Sequence, residues 1–173
     1  MVKISVTSSI DHTGDLMRAI KALTKNVVMV GVPAANADRE STGGKPGANN
    51  AQIGYIMETG SPTKNIPARP FLVPGVQSIK GEIVKSMRKS GMAALGGNVE
   101  QVEKEMHAIG LKAQVAVQIK LSEGPFTPLS PKTVYARKHR KEAPRDSDQP
   151  LIDTGQLRAA IKYVIMKSKD VKK

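Results

Sequence analysis

An Asp-Thr-Gly triplet, Asp153-Thr154-Gly155, follows the apolar pair Leu151-Ile152 and offers this chain its most direct route to catalysis. In an aspartic protease such a triplet supplies one of two carboxylates that share a proton, on loops wrapped by strands. Here the residues after the triplet read as helical, and too little chain follows to build a β-rich half-site. No second triplet occurs, so a second copy of the chain would have to supply the other carboxylate. The competing role for Asp153 is helix capping, with a brief helix through Leu157 to Ala160 and Gln156 at capping-box spacing. Capping is favoured, and Asp153, Thr154 and Gly155 are assigned to a structural turn. On that reading Asp153→Asn costs well under the ~1 kcal/mol typical of losing a cap.

Other residues with chemical potential are isolated. His12, His107 and His139 have no carboxylate or second histidine at ligand spacing, so they read as solvated surface histidines. Gly43-Gly44-Lys45-Pro46-Gly47 has the glycines and lysine of a phosphate loop, but neither the Lys-Ser/Thr ending nor the helix start that cradles a phosphate. No serine shows a histidine and acid partner. The expectation is a protein that is not an enzyme and holds no metal or cofactor. The basic run Arg137-Lys138-His139-Arg140-Lys141, with Lys132 one turn before it, is the remaining candidate. Such a cluster can contact phosphates. It also suits a solvated helix face or one that meets acids of a neighbouring subunit. Without interleaved aromatics for base stacking, the subunit or solvent reading is preferred.

Composition narrows the setting. The 173 residues include no cysteine and no tryptophan, with two phenylalanines and three tyrosines, so disulfides and thiolate sites are excluded. An aliphatic core buries less area per residue than a ring-rich one, which leans towards a protein completed by assembly. The formal charge of +12 raises nucleic-acid binding. Much of the excess sits between Lys132 and Arg145 and between Lys162 and Lys173, and the rest is interspersed with acids as on a solvated surface. The start lacks the apolar region of a signal peptide, and no run reaches membrane-spanning length. A soluble protein made in a cytoplasm, without a membrane role, is expected.

The elements that hold these residues follow from periodicity. A strand at Lys3–Thr7, a helix at Asp15–Lys25 and a buried strand at Val27–Val32 open the chain. Residues 33–50 read as a flexible loop, cleavable near Arg39 or Lys45. A short helix from Asn50 ends at Gly60, and Pro62 prevents its resumption. Pro67 and Pro70 then fix an extended corner. This corner holds the scarce Phe71 beside Arg69 and suits a packing corner or a subunit contact. Glu58, Ile66, Pro67, Arg69, Pro70 and Phe71 are its assembly-interface candidates, expected to matter more for assembly than for folding. Two helices follow, one from Val76 weakened at Gly91 and broken at Gly96-Gly97, the other carrying Val99, Val102, Met106, Ile109, Ala113 and Val117 as a stripe. Their short loop implies an antiparallel hairpin. Ser130 and Pro131 supply an N-cap and first helical position for a helix to about Lys141. A final strand, Lys162–Met166, is placed to pair with Val27–Val32. The fold class is α+β, a small, mostly antiparallel sheet packed against helices including a long helical hairpin. It forms one domain over residues 1–167 with a basic frayed tail at 168–173.

Four segments then resemble, in order and approximate spacing, the tail-completion and head–tail joining (neck) proteins of long-tailed bacteriophages. That grouping includes the lambda-type minor tail protein Z and the Mu-type virion morphogenesis proteins. The segments are Val28-Met29-Val30-Gly31-Val32, the corner Ile66-Pro67-Ala68-Arg69-Pro70-Phe71, Pro128-Leu129-Ser130-Pro131-Lys132-Thr133 and Leu151-Ile152-Asp153-Thr154-Gly155-Gln156-Leu157. One departure is Met57-Glu58-Thr59-Gly60, where relatives usually place an aromatic before the glycine. The resemblance implies a structural virion protein at the head–tail junction or upper tail, made in the host cytoplasm. It further implies other neck and tail proteins as partners, a hexameric homo-oligomeric ring and weak non-specific DNA contact. The alternative class is a small basic nucleic-acid-binding protein.

Overall fold

The computed structural model describes residues 13–39, 48–141 and 144–171. Its spine is helix α5, Val99–Glu123, about 37 Å long at 1.5 Å per residue. The elements numbered before it are α1 (Thr13–Lys25), β1 (Asn26–Gly31), α2 (Asn50–Thr59), α3 (Leu72–Ser78) and α4 (Lys80–Leu95). After it come α6 (Pro131–His139), α7 (Gln156–Ala160) and β2 (Lys162–Lys167). The sheet is the antiparallel pair β1–β2, with Val28 opposite Ile165 and Val30 opposite Tyr163. The α+β class therefore holds. The strand expected at Lys3–Thr7 lies outside the described residues.

The stripe on α5 is the reason for the architecture. Val102, Met106, Ala113, Val117 and Leu121 are all buried on it. Its N-terminal half packs with Ala19 of α1 and Ala94 of α4, against Val28 and Ile165 of the sheet. Its C-terminal half carries Val117 and Leu121 into a second cluster with Phe71, Leu157 and Ile161. Ala94 meets Val102 near the loop while Glu82 reaches Lys112 (3.1 Å) further along, as two antiparallel helices require. Two glycines permit close approach to the spine. A Cβ on Gly75 would lie 2.7 Å from Val117 Cα, so α3 crosses α5 almost backbone to backbone. A Cβ on Gly110 would fall 2.2 Å from Cδ2 of Tyr163, whose ring lies over the bare turn.

The first hairpin helix begins earlier than its apolar period suggested and breaks at Ile79 (φ −108°, ψ 16°). Its N-terminus is capped from a distance. Glu58, in the last turn of α2, accepts from the backbone N–H groups of Phe71 (2.7 Å), Leu72 (2.8 Å) and Val73 (3.0 Å). A carboxylate there satisfies orphan donors and favours the positive end of the helix.

The 33–50 segment is less free at its flanks than its composition suggested. Ala37 and Asn50 are buried; Asn50 donates from its backbone N–H to Ala37 O (2.8 Å) and from Nδ2 to Asp38 O (2.9 Å). Asn49 and Gln52 form a reciprocal capping box at the start of α2. Residues 40–47, with Lys45, fall outside the described residues. At the far end, Ser168 donates to Lys25 O (2.6 Å), so the expected frayed tail is still tied at its first residue.

Candidate assembly cleft

Three of the four segments singled out in the sequence meet around one cleft of about 510 Å³. The first wall is the proline corner. Gly60 stops α2 at φ 77°, and a Cβ there would sit 2.9 Å from Ala68 N, so only glycine lets the chain fold back so tightly. Ser61 and Ile66 then close the turn with reciprocal backbone bonds of 2.9 and 3.0 Å. Pro67 and Pro70 are exposed and Ile66 is half-buried.

Arg69 and Phe71 correct the reading of this corner as a displayed contact. Phe71 is 3% exposed and belongs to the core cluster with Val117, Leu121, Leu157 and Ile161. Arg69 is 5% exposed. It donates from Nε to Thr127 O (2.7 Å) and from Nη2 to Pro128 O (2.9 Å), stapling the corner to the second wall. Burial lowers its pKa from the ordinary arginine value. The corner is a packing corner because it carries the buried ring of this core cluster, against which Phe126 packs from outside. Glu58 is likewise committed inward, as the α3 cap.

The second wall is Pro128-Leu129-Ser130 and the helix that follows. Ser130 Oγ accepts from Thr133 N–H (3.2 Å) and Pro131 occupies the first turn, the cap expected from the sequence. The basic run on α6 does not form one patch. Lys132, Lys138 and Lys141 are exposed, with Lys138 bonded to Asp146 at 2.9 Å. Arg137 and Arg140 turn to the other side. Arg137 donates from Nη1 to Gln149 O (2.8 Å) and Ile152 O (3.4 Å). His139 is exposed and stacks on Tyr135 at 3.9 Å, and His107 lies 3.1 Å from the Tyr163 hydroxyl. His12 is outside the described residues.

The third wall is the Asp-Thr-Gly turn, and it overturns the capping assignment of Asp153. Helix α7 begins after Gly155 (φ 79°) with no side-chain cap. Asp153 instead receives a bidentate pair from Arg140, 2.8 Å to each carboxylate oxygen, with Arg137 Nε at 4.0 Å. Two N–H groups of a fixed guanidinium fork outcompete a single backbone N–H for these oxygens. Arg145 also donates to the Asp153 carbonyl. The Arg140 hydrogen bond, helped by the charges of Arg137, Arg140 and Arg39, holds Asp153 below its ordinary pKa against the opposing effect of burial. A carboxylate so held is ionised and engaged, the reverse of one sharing a proton with a catalytic twin. Thr154 Oγ1 accepts from Arg39 Nη2 at 3.4 Å.

Arg39 is the residue of this site that the sequence left in a loop; its other bond runs from Nη1 to Asn50 Oδ1 (3.3 Å). Its side chain is thus tied to both the start of α2 and the Asp-Thr-Gly turn. Nothing local marked it, since its partners come from α2 and from a turn 115 residues away. Among the described residues the cleft lining therefore carries three guanidinium groups, Arg39, Arg69 and Arg137, and a single carboxylate, Asp153. Like charge lowers the pKa of Arg137 as well, after burial as the main cause, with Arg140, Arg145 and Arg69 contributing and Asp153 opposing. Ile53, Met57 and Leu157 supply an apolar floor. Among the described residues no group of three histidines, cysteines or acids stands together to bind a metal, and no helix is long and apolar enough to cross a membrane. No protein-family model, curated protein or solved structure matches the chain.

Proposed function

We propose that this chain is a non-enzymatic structural protein of a phage or prophage virion, acting at the head–tail junction or upper tail to complete the tail and join it to the head. The observation that carries the reading is convergence: the corner, the Pro-Leu-Ser-Pro segment and the Asp-Thr-Gly turn, up to about ninety residues apart in sequence, wall the same cleft. The resemblance supplies the virion setting; the cleft supplies a surface on which docking makes physical sense. Its walls are fixed by buried side chains and backbone bonds, so little ordering entropy remains to oppose binding. A homo-oligomeric ring belongs to the same proposal, since a heterologous interface that closes leaves one face per subunit for other neck and tail proteins.

Variants of the proline corner test it, Pro67 lining the cleft and Pro70 following it on the same corner. Pro67→Asp and Pro70→Asp alter exposed positions, so each variant is expected to fold with unchanged circular dichroism. Each is expected to reduce joined, infectious particles in a complementation assay. Wild-type particle yields from both folded variants would contradict the proposal. The competing nucleic-acid reading draws on the exposed Lys132 and Lys141 and the charge of +12. It requires the isolated chain to bind duplex DNA with an affinity that falls steeply with salt.

A further inference from the structure

The cleft is cationic, recessed and floored with apolar side chains, and those three properties together specify an occupant. Asp153 offsets it only in part: both its oxygens are bonded to Arg140 and one lies 4.0 Å from Arg137 Nε, one carboxylate against several guanidinium groups. Among the described residues Arg39 bonds only neutral acceptors, at 3.3 and 3.4 Å, long beside the 2.7–2.9 Å of charge-assisted bonds. Arg69 has only carbonyls. We propose that the cleft takes an extended acidic peptide segment of another protein, with carboxylates on Arg39 and Arg137 and an apolar side chain on Ile53 and Met57, Arg69 adding its charge from within the wall. This rests on the reading of the chain as a docking protein and names the chemistry of the partner.

Recession decides between a peptide and a nucleic acid. Arg39 is half-buried and the Arg137 side chain 14% exposed, in a recess that a carboxylate-bearing side chain enters more readily than a duplex backbone does, while Arg69, 5% exposed, stays committed to the wall. No aromatic residue lines the cleft for base stacking, and a phosphate backbone has no use for its apolar floor. The net charge of +12 favours an acidic partner over a second copy of the same chain.

The test is fluorescence anisotropy with a labelled Glu-Leu-Asp-Leu-Glu-Leu-Asp peptide and its Gln/Asn counterpart, on the full chain. The acidic peptide is expected to bind saturably and the amide peptide at least about tenfold more weakly. Arg39→Gln, at a half-buried position where folding is retained, is expected to weaken the acidic peptide by about tenfold or more. Lys132→Gln in α6 and Lys141→Gln just beyond it, both exposed, are expected to leave it unchanged within about twofold. No saturable binding below about 1 mM, or equal loss in the lysine variants, would overturn the proposal. So would displacement of the peptide by duplex DNA in an Arg39-dependent manner, which assigns the cleft to phosphate. Concentration-dependent self-association abolished by Arg39→Gln, with no peptide binding, would assign it to a second copy. Particle yields are scored separately, so a chain that joins virions without binding this peptide refutes the occupant and leaves the role standing.

Discussion

Asp153→Asn separates the observed role of this residue from the cap that its sequence setting suggested. The carboxylate takes two 2.8 Å bonds from Arg140, and asparagine would place an NH₂ against one of those donors. Hydrogen bonds to charged groups contribute about 1.5–3 kcal/mol each, but surface pairs deliver about 1 kcal/mol or less. Side-chain exposures of 24% for Arg140 and 26% for Asp153 put this pair between those limits. The expected cost is about 1–3 kcal/mol in urea unfolding near neutral pH. The pH dependence has a definite sign. The folded-state pKa of Asp153 is lowered, first by the Arg140 hydrogen bond. Its stabilisation is therefore fully present above the ordinary carboxylate pKa of about 4 and is lost as pH falls through the lower folded value. The gap between wild type and Asp153→Asn should accordingly be constant from neutral pH to about 5 and narrow below about 4. A cost under about 0.5 kcal/mol, or a gap indifferent to acid, would refute the ion-pair account and restore a neutral cap.

Three further substitutions probe other joints. Phe71→Ala is expected to cost about 3–5 kcal/mol and to reduce soluble protein, whereas retention of stability by denaturant melts would return the ring to an assembly role. Glu58→Gln keeps one acceptor but loses the charge facing three backbone donors, so a loss of about 1–2 kcal/mol is expected and an unchanged midpoint would remove its capping role. Gly110→Ala should cost about 1–2 kcal/mol because the Tyr163 ring must move. In a Tyr163→Ala background the same change should become stabilising by up to about 1 kcal/mol through helix propensity. Equal effects in both backgrounds would mean the ring does not set the requirement.

Much of the fold was legible because it is written in short-range pattern. The α5 stripe from Val99 to Val117 and the Val27–Val32 and Lys162–Met166 strands are periodic, and Gly96-Gly97 marks the hairpin turn between helices. Ser130-Pro131 announced its helix because cap and donor lie three residues apart. What failed to show had remote causes. The start of α3 depends on Glu58 in another helix, and no residue beside Leu72 signals a cap. Asp153 carried a convincing local cap motif, yet Arg140, thirteen residues earlier, offered its oxygens a stronger partner. The basic run looked uniform because charge counting ignores direction; the helix sends Lys138 outward and Arg137 inward, and the extended backbone after His139 brings Arg140 to Asp153. Phe71 on a rigid mount read equally well as a core element or a contact, and only the surrounding Val117, Leu121 and Leu157 decide it. The cleft itself was the least legible feature, since its walls come from segments that only the fold brings together.

The most direct test of the proposed role is electron microscopy of phage particles produced with and without this chain. The proposed role predicts filled heads and separate tails accumulating in its absence. It also predicts ring-like density for the chain between head and tail when it is restored. Normally joined particles without the chain, or its absence from purified virions that need it, would contradict the account.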